Sequence, residues 1–211
     1  HQGIQICVSQ ADIDWERQKS ASTDRAEGNP VRSFPDEYLE TLAVYRKIAD
    51  ILLTCDTLLF HGSAVAVDQN GYLFTAKSGT GKSTHTGLWR KVFGNRAVMV
   101  NDDKPLLKVT PEGVMVYGSP WNGKHRISTN LAVPLQGIAV LTRGQSNQIE
   151  LISPREAYPI IVQQTNRPGD REKLEKTLLL IDRMLEQVPV YRLSCNMEPE
   201  AAKLAYERMK P

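Results

Sequence analysis

The sequence predicts an α/β protein whose strands run in mixed directions, and three observations support this. Short apolar runs bounded by turn residues alternate with longer segments in which apolar residues recur at helical spacing. The turn sequences Asp68-Gln69-Asn70-Gly71 and Pro111-Glu112-Gly113 separate closely spaced strands and favour antiparallel hairpins. One strand also leads into a glycine-rich loop and then a helix. Antiparallel strands are therefore expected around a central strand-loop-helix unit.

Composition and length are those of an ordinary globular protein. The chain has 211 residues, of which 24% are charged and 41% hydrophobic. A net charge of +2 gives no indication of a nucleic-acid partner, which normally faces a clustered basic surface. Every apolar run is shorter than the ~20 residues that a membrane-spanning helix needs. We expect a protein that binds neither nucleic acid nor a membrane.

The first 57 residues are predicted to form a strand, a loop and a helix that pack on a core over residues 58–211, within one compact domain. Ile4 to Val8 has the pattern of a short strand, and Gln18 to Asn29 is polar and aperiodic, as in an exposed loop. Apolar residues then recur every three or four positions from Pro35 to Cys55, which predicts an amphipathic helix.

The core is expected to contain further strands and helices in an alternating order. Strands are predicted at 58–67, 72–75, 96–100, 106–109, 114–117, 137–141, 148–152 and 188–193, with 137–141 and 148–152 as a pair. Helices are predicted at 82–93, from 154, at 170–187 and at 198–209. Ser153 and Glu156 have the spacing of a capping box for the helix that starts at Pro154.

Three widely spaced cysteines, Cys7, Cys55 and Cys195, lie in apolar segments without the spacing of metal ligands. They are interpreted as buried thiols in a reducing compartment. Together with the missing charged-then-apolar leader pattern, this predicts a cytoplasmic location.

The segment Ala76 to Thr84 has the pattern of a Walker A phosphate-binding loop, between a predicted strand and a predicted helix. Gly79 and Gly81 allow a tight turn whose amides point at phosphate oxygens at the helix N-terminus. Lys82 is expected to reach the β- and γ-phosphates, and the Ser83 hydroxyl suits Mg²⁺. The residues predicted to bind the phosphates of ATP or another nucleoside triphosphate are Ser78, Gly79, Thr80, Gly81, Lys82, Ser83 and Thr84.

Two adjacent carboxylates, Asp102 and Asp103, follow the strand after the predicted phosphate-loop helix. If this strand is a parallel neighbour of the phosphate-loop strand, its end lies beside the loop. One carboxylate can then hold Mg²⁺ and the other can accept a proton from an attacking hydroxyl. The alternative is a solvated turn, because Asn-Asp-Asp is ordinary loop sequence.

Several flanking residues are further candidates. His61 precedes the phosphate-loop hairpin and is either a core residue or an imidazole near the acidic pair. Lys124 and Arg126 lie in a turn-rich segment suited to closing over phosphates or an acidic substrate. Arg143 ends a strand and could stabilise charge on a transferred phosphoryl group. The alternative for all three cations is exposed, solubilising charge.

The order of these motifs resembles the catalytic domain of HPr kinase/phosphorylase and, more distantly, the core of ATP-dependent phosphoenolpyruvate carboxykinase. The motifs are His61-Gly62, then Ser78-Gly79-Thr80-Gly81-Lys82-Ser83, then Asp102-Asp103, within about Leu58 to Arg143. The resemblance implies a carboxykinase-like α/β core with the phosphate-loop unit packed in mixed, largely antiparallel sheets. It also implies metal binding by Ser83 and one aspartate, and a general base at the other, assisted by His61.

The resemblance favours an ATP- and Mg²⁺-dependent kinase that phosphorylates a hydroxyl of a small molecule or peptide. Asp102 is the favoured base and Asp103 the favoured metal ligand, although the spacing alone does not order them. The C-terminal signature that recognises HPr is not evident, so another acceptor is expected. Rival interpretations are a nucleotide-sensing module without catalysis and a simple ATPase, and a homo-oligomer is compatible with any of them.

Overall fold

A computed structural model describes residues 4–26, 28, 30–123 and 125–211. By its backbone contacts the chain divides into two compact units, residues 1–52 and residues 53–211. The mixed α/β class predicted from the sequence is confirmed by the second unit. There, the described residues form nine strands in one mixed sheet, with helices on both faces.

The first unit is a helical pair, α1 (Gln10–Ala26) and α2 (Asp36–Leu52). Two predictions for this region are wrong: residues 4–9 form no strand, and Gln18 to Ala26 belong to α1 instead of a loop. The sequence of α1 has no apolar periodicity, which is why the helix was not predicted. Ion pairs join it to α2 instead. Arg46 contacts Asp12 at 3.1 Å and Glu16 at 2.7 Å, and Lys47 contacts Asp12 at 2.9 Å.

The second unit begins with a short 3₁₀ turn at Leu53–Cys55 and contains all nine strands. The strands are β1 (Thr57–Leu59), β2 (Ser63–Val67), β3 (Asn70–Thr75), β4 (Ala97–Asn101), β5 (Leu106–Thr110), β6 (Gly113–Tyr117), β7 (Ala132–Arg143), β8 (Gln148–Ile152) and β9 (Val190–Cys195). The helices are α3 (Lys82–Phe93), α4 (Pro154–Gln164), α5 (Arg171–Gln187) and α6 (Pro199–Met209). Both predicted hairpins, β2–β3 and β5–β6, are confirmed, and so is the Ser153–Glu156 capping box. The single strand predicted at 58–67 is wrong, because β1 pairs with β5 whereas β2 pairs with β3 and β4.

The sheet runs in the order β1-β5-β6-β7-β3-β2-β4, with β9 beside β7 and β8 beside β9. The predicted pairing of residues 137–141 with 148–152 is therefore wrong. Strand β9 lies between β7 and β8, parallel to the first and antiparallel to the second. The connection between β7 and β8 is only four residues long, which suggests a hairpin. The two strands do not pair because β9, about 40 residues further along the chain, lies between them.

Two apolar clusters cover the two faces of the sheet. In β2, Ala64 and Ala66 face the cluster that includes α4 and α5, whereas Val65 and Val67 face the cluster that includes α3 and α6. This alternation with a period of two is the geometry of a strand buried on both faces. In the second cluster α3 packs against the sheet through Trp89, which is fully buried.

The predicted burial of the cysteines is wrong for two of the three. Cys7 and Cys55 are exposed and Cys195 is half-buried, and all three are free thiols. Each apolar segment has a solvent-facing side, so an apolar neighbourhood in sequence does not fix the direction of one side chain. Among the helices formed by the described residues, none is both long and apolar enough to cross a membrane.

His85 is a core residue of α3. Its ring stacks edge-on against Phe74, and its Nε2 accepts a hydrogen bond of 3.1 Å from the indole of Trp89. Because an indole only donates, the neutral ring carries its proton on Nδ1, which lies 3.9 Å from Cys195 Sγ. Burial lowers the pKa of His85 to about 4.

We therefore expect the protein to lose stability as the pH falls from about 6.5 to 4. The unfolded chain takes up a proton at this histidine near pH 6.5, whereas the folded protein does so only near pH 4. The free energy of unfolding should therefore fall by about 3 kcal/mol between pH 6.5 and pH 4. His85→Gln keeps a neutral acceptor and should lose this part of the dependence of the unfolding free energy on pH. Urea unfolding at several pH values measures it; equal slopes in both proteins would contradict the assignment.

Candidate active site

The segment predicted to bind phosphates, called the phosphate loop below, joins the end of β3 at Thr75 to the start of α3 at Lys82. Gly79 and Gly81 have φ values of +76° and +121°, a region that side-chain-bearing residues rarely occupy. The amide of His85 makes an early bond of α3, to the Gly81 carbonyl at 2.9 Å. Gly81 is thus the N-cap, and the amides that follow it lie at the positive end of the helix. The strand and the helix predicted on either side of this segment are present.

Lys82 is buried, and its Nζ donates a hydrogen bond of 3.2 Å to the carbonyl of Ala76. Burial lowers the pKa of Lys82, while the nearby charges of Asp103 and Asp102 act against this shift. The lysine therefore lies over its own loop, within electrostatic reach of both predicted acidic residues.

The acidic pair lies near the loop, but the predicted parallel pairing of its strand with the phosphate-loop strand is wrong. Strand β4 is not a direct neighbour of β3, because β2 lies between them and pairs antiparallel with both. The C-terminal ends of β3 and β4 and the N-terminal end of β2 consequently meet at one edge of the sheet. The hydroxyl of Thr75 donates to the His61 carbonyl at 3.0 Å, and the Gly62 amide donates to the Asp103 carbonyl at 3.0 Å.

His61 contacts Asp103, with 3.5 Å between Nε2 and Oδ1. Lys104 Nζ lies 3.8 Å from the other carboxylate oxygen. Burial alone would raise the pKa of Asp103, but the hydrogen bond from His61 and the charges of Lys104 and Lys82 outweigh it and lower the pKa. Asp103 is therefore ionised at neutral pH, and 28% of its side chain remains exposed.

Asp102 has a different environment, which the sequence did not reveal. It is only 6% exposed, and its Oδ1 accepts a hydrogen bond of 2.9 Å from the Ser63 hydroxyl. Ser63 also lies 2.9 Å from the hydroxyl of Thr86, which in turn lies 3.3 Å from the carbonyls of Lys82 and Ser83. A buried polar network thus joins Asp102 to the first turn of the phosphate-loop helix. The only sequence signal was Ser63 at the start of an otherwise apolar strand, because Thr86 lies among other polar residues of α3.

Asn101, fully buried at the end of β4, holds the acidic turn together. Its Oδ1 accepts from the amides of Asp103 at 2.8 Å and Lys104 at 2.6 Å. Its Nδ2 donates to the carbonyls of Ser119 at 3.0 Å and Trp121 at 3.3 Å. One amide side chain therefore fixes both the acidic turn and the start of the loop after β6.

The described residues of this loop, 118–123 and 125–130, include several that contact the acidic turn. A Cβ at Gly123 would come 2.9 Å from the Cβ of Asp103, so a glycine is needed for this approach. Arg126, predicted as a substrate-loop residue, is exposed and has a φ of +52°. Lys124, the other predicted residue of this loop, lies outside the described residues.

Arg143 contacts the phosphate loop itself. Its Nη2 donates to the Gly79 carbonyl at 2.6 Å and its Nε to the Thr80 carbonyl at 3.3 Å. Arg143 ends β7, as the sequence predicted, and its contacts are with the loop backbone.

The donors near the loop fit a Mg²⁺ ion that takes most of its ligands from phosphates and water. Ser83 is half-buried at the start of α3, and the two aspartates supply carboxylate oxygens. Among residues 4–26, 28, 30–123 and 125–211, no group of three or more His, Cys, Asp or Glu side chains could hold a metal by itself. Ser83 and one aspartate would hold the ion, which would neutralise phosphate charge when bound.

Comparison with known proteins gives little further guidance. No family model and no curated protein matches the chain. Among solved structures, it is similar to the HPr(Ser) kinase/phosphatase from Coxiella burnetii, with 12% sequence identity and a TM-score of 0.39. The alignment covers 72% of this chain and 99% of that one. Values this low carry no information on activity, which has to be inferred from the geometry of the site.

Asn101→Asp should separate the two functions of this side chain. The variant keeps an oxygen that accepts from the acidic turn, but it replaces the donor to Ser119 and Trp121 with a buried carboxylate oxygen that faces their carbonyls. We expect the free energy of unfolding to fall by about 1–3 kcal/mol, with faster hydrogen exchange over 119–123. Asn147→Asp is the control, because Asn147 Oδ1 accepts a bond from Asn196 that an aspartate retains. Similar unfolding free energies and similar exchange rates in the two variants would contradict the role of Asn101 in holding the loop after β6.

Proposed function

We propose that this protein transfers the γ-phosphoryl group of ATP, or of another nucleoside triphosphate, to a hydroxyl group in a Mg²⁺-dependent reaction. The observation that carries the proposal is the contact between His61 and Asp103 beside the phosphate-loop lysine. Phosphate binding alone does not require an ionised, partly exposed carboxylate with a histidine partner. A general base that activates a hydroxyl must be deprotonated and within reach of the substrate, and a histidine beside the carboxylate favours its charged form.

The proposed roles of the loop follow from its position at the start of α3. Amides over Ser78 to Thr84 bind the phosphates, and Lys82 releases the Ala76 carbonyl to contact the β- and γ-phosphates. Ser83 holds the metal. These groups neutralise the charge that develops as the bond between the γ-phosphorus and its bridging oxygen breaks.

For the two aspartates, the geometry favours the reverse of the order expected from the sequence. We propose Asp103 as the base, since its carboxylate is partly exposed, ionised and in contact with His61. The acceptor hydroxyl oxygen attacks the γ-phosphorus, its proton passes to Asp103, and the nucleoside diphosphate leaves. Asp102 is buried and joined through Ser63 to the helix that carries Ser83, which suits the metal side of the site.

The proposal includes a place in the HPr kinase/phosphorylase group, in which the same three motifs occur in the same order. The mixed sheet, the phosphate loop and the shared strand edge are compatible with it. The acceptor would be a small molecule or a peptide.

Incubation with γ-labelled ATP and pools of hydroxyl metabolites and peptides tests the activity. Label on an acceptor supports the kinase, release of inorganic phosphate supports a simple ATPase, and unchanged ATP with bound nucleotide supports a sensing module. Either of the last two results would overturn the proposal.

Lys82→Ala tests phosphate binding. We expect the Kd for Mg-ATP to rise by about 10- to 150-fold, because charge-assisted hydrogen bonds to phosphate contribute about 1.5–3 kcal/mol. Isothermal titration measures the Kd. Lys91→Ala, an exposed lysine at the far end of the same helix, is the matched control. An unchanged Kd in Lys82→Ala would show that the loop does not bind the nucleotide.

Asp103→Asn and Asp102→Asn separate the base from the metal ligand. We expect Asp103→Asn to lower kcat by about 10²–10⁴-fold with little change in Mg-ATP affinity, because general base catalysis contributes that much. Asp102→Asn should raise the Mg²⁺ concentration needed for half-maximal activity. Asp68→Asn, at the opposite end of the β2–β3 hairpin, is the control. A fully active Asp103→Asn enzyme rules out this base.

A further inference from the structure

The strongest unassigned feature is the contact of Arg143 with the outside of the phosphate loop. Strand β7 runs parallel to β3, and Val140 pairs with Thr75, the last residue of β3. Arg143 lies three residues beyond Val140 in β7. At this level the chain beside it is no longer β3 but the loop that follows β3. Its guanidinium donates to two successive loop carbonyls, those of Gly79 at 2.6 Å and Thr80 at 3.3 Å.

These bonds fix the orientation of two peptide groups. A peptide unit is planar, and its C=O and N–H point in opposite directions. Holding the Gly79 carbonyl therefore directs the Thr80 amide away from Arg143, and this amide donates to the Lys77 carbonyl at 3.2 Å within the turn. Holding the Thr80 carbonyl likewise directs the amide of Gly81, the N-cap of α3, away from the guanidinium.

The orientation matters because carbonyl oxygens repel phosphates whereas amides attract them. Gly79 and Gly81 have little intrinsic preference for one orientation, since glycine reaches both halves of φ space with similar ease. A charged donor on a rigid strand can supply the preference that the glycines lack.

We propose that Arg143 is a positioning residue that holds the Gly79 and Thr80 carbonyls on its own side of the loop, which fixes the turn and keeps the Gly81 amide on the other side, available for phosphate. The role extends the proposed nucleotide binding, but its effect on the loop already exists in the free protein. It differs from direct stabilisation of the transferred phosphoryl group, which requires the guanidinium to face the γ-phosphate.

The test compares Arg143→Gln, Arg143→Lys and a control, Arg192→Gln. Arg192 is a half-buried arginine on the neighbouring strand β9, paired with Val140, and its side chain binds Glu150 instead of the loop. Hydrogen exchange of the free proteins is measured at the Thr80 and His85 amides, which bond to Lys77 and Gly81. Dissociation constants are measured for Mg-ADP and Mg-ATP.

In Arg143→Gln we expect exchange at these amides to rise by about tenfold, since charge-assisted hydrogen bonds are lost. The Kd values for Mg-ADP and Mg-ATP should rise by the same factor, because the loop amides contact phosphates present in both. Arg143→Lys, with one ammonium, should recover part of the loss, and Arg192→Gln should match the wild type.

Unchanged exchange in Arg143→Gln would overturn the proposal, and so would a loss confined to Mg-ATP, which is the signature of direct contact with the γ-phosphate. If the wild type binds neither nucleotide, the proposed function fails, and the exchange measurement still decides whether Arg143 holds the loop.

Discussion

The site depends on the position of β2, which pairs antiparallel with β3 on one side and β4 on the other. This arrangement makes β3 and β4 run in the same direction, so both end at the edge where β2 begins. The phosphate loop, the acidic turn and His61 are brought together by backbone pairing. Side-chain contacts then fix the orientation of residues that the sheet has already placed close together.

Close approach at this edge requires a residue without a side chain between His61 and Ser63. A Cβ at Gly62 would lie 2.9 Å from the carbonyl of Phe74. On either side of the glycine, His61 contacts Asp103 and Ser63 contacts Asp102. The sequence His-Gly-Ser is thus matched against Asp102-Asp103, and each acid has a different partner.

Local patterns predicted the parts of the structure whose cause is local. The loop glycines, the two hairpin turns and the capping box at Ser153 are each determined by a few neighbouring residues. The α1 helix was missed because its stabilising partners are charges on α2 rather than an apolar stripe of its own. The β8 pairing was missed because β9, which lies between β7 and β8, is distant in sequence.

The same limit applies to the site. His61, Lys82 and the aspartates carry recognisable chemistry, so their proximity could be proposed from motif order. Ser63, Thr86 and Asn101 could not, because their importance comes from being buried beside an acid, a property of the folded chain.

Burial also explains why two adjacent aspartates need not be equivalent. A buried carboxylate that accepts a hydrogen bond from a fixed hydroxyl is held in one orientation, which suits a ligand that must keep a fixed distance to a metal. A carboxylate at the surface can meet an incoming hydroxyl, and a histidine beside it preserves its charge. Asp102 has the first environment and Asp103 the second. The difference arises because Ser63 extends into the sheet toward α3, while His61 remains at the rim. The environment of each acid, rather than its order in the chain, is therefore the physical basis for assigning their roles.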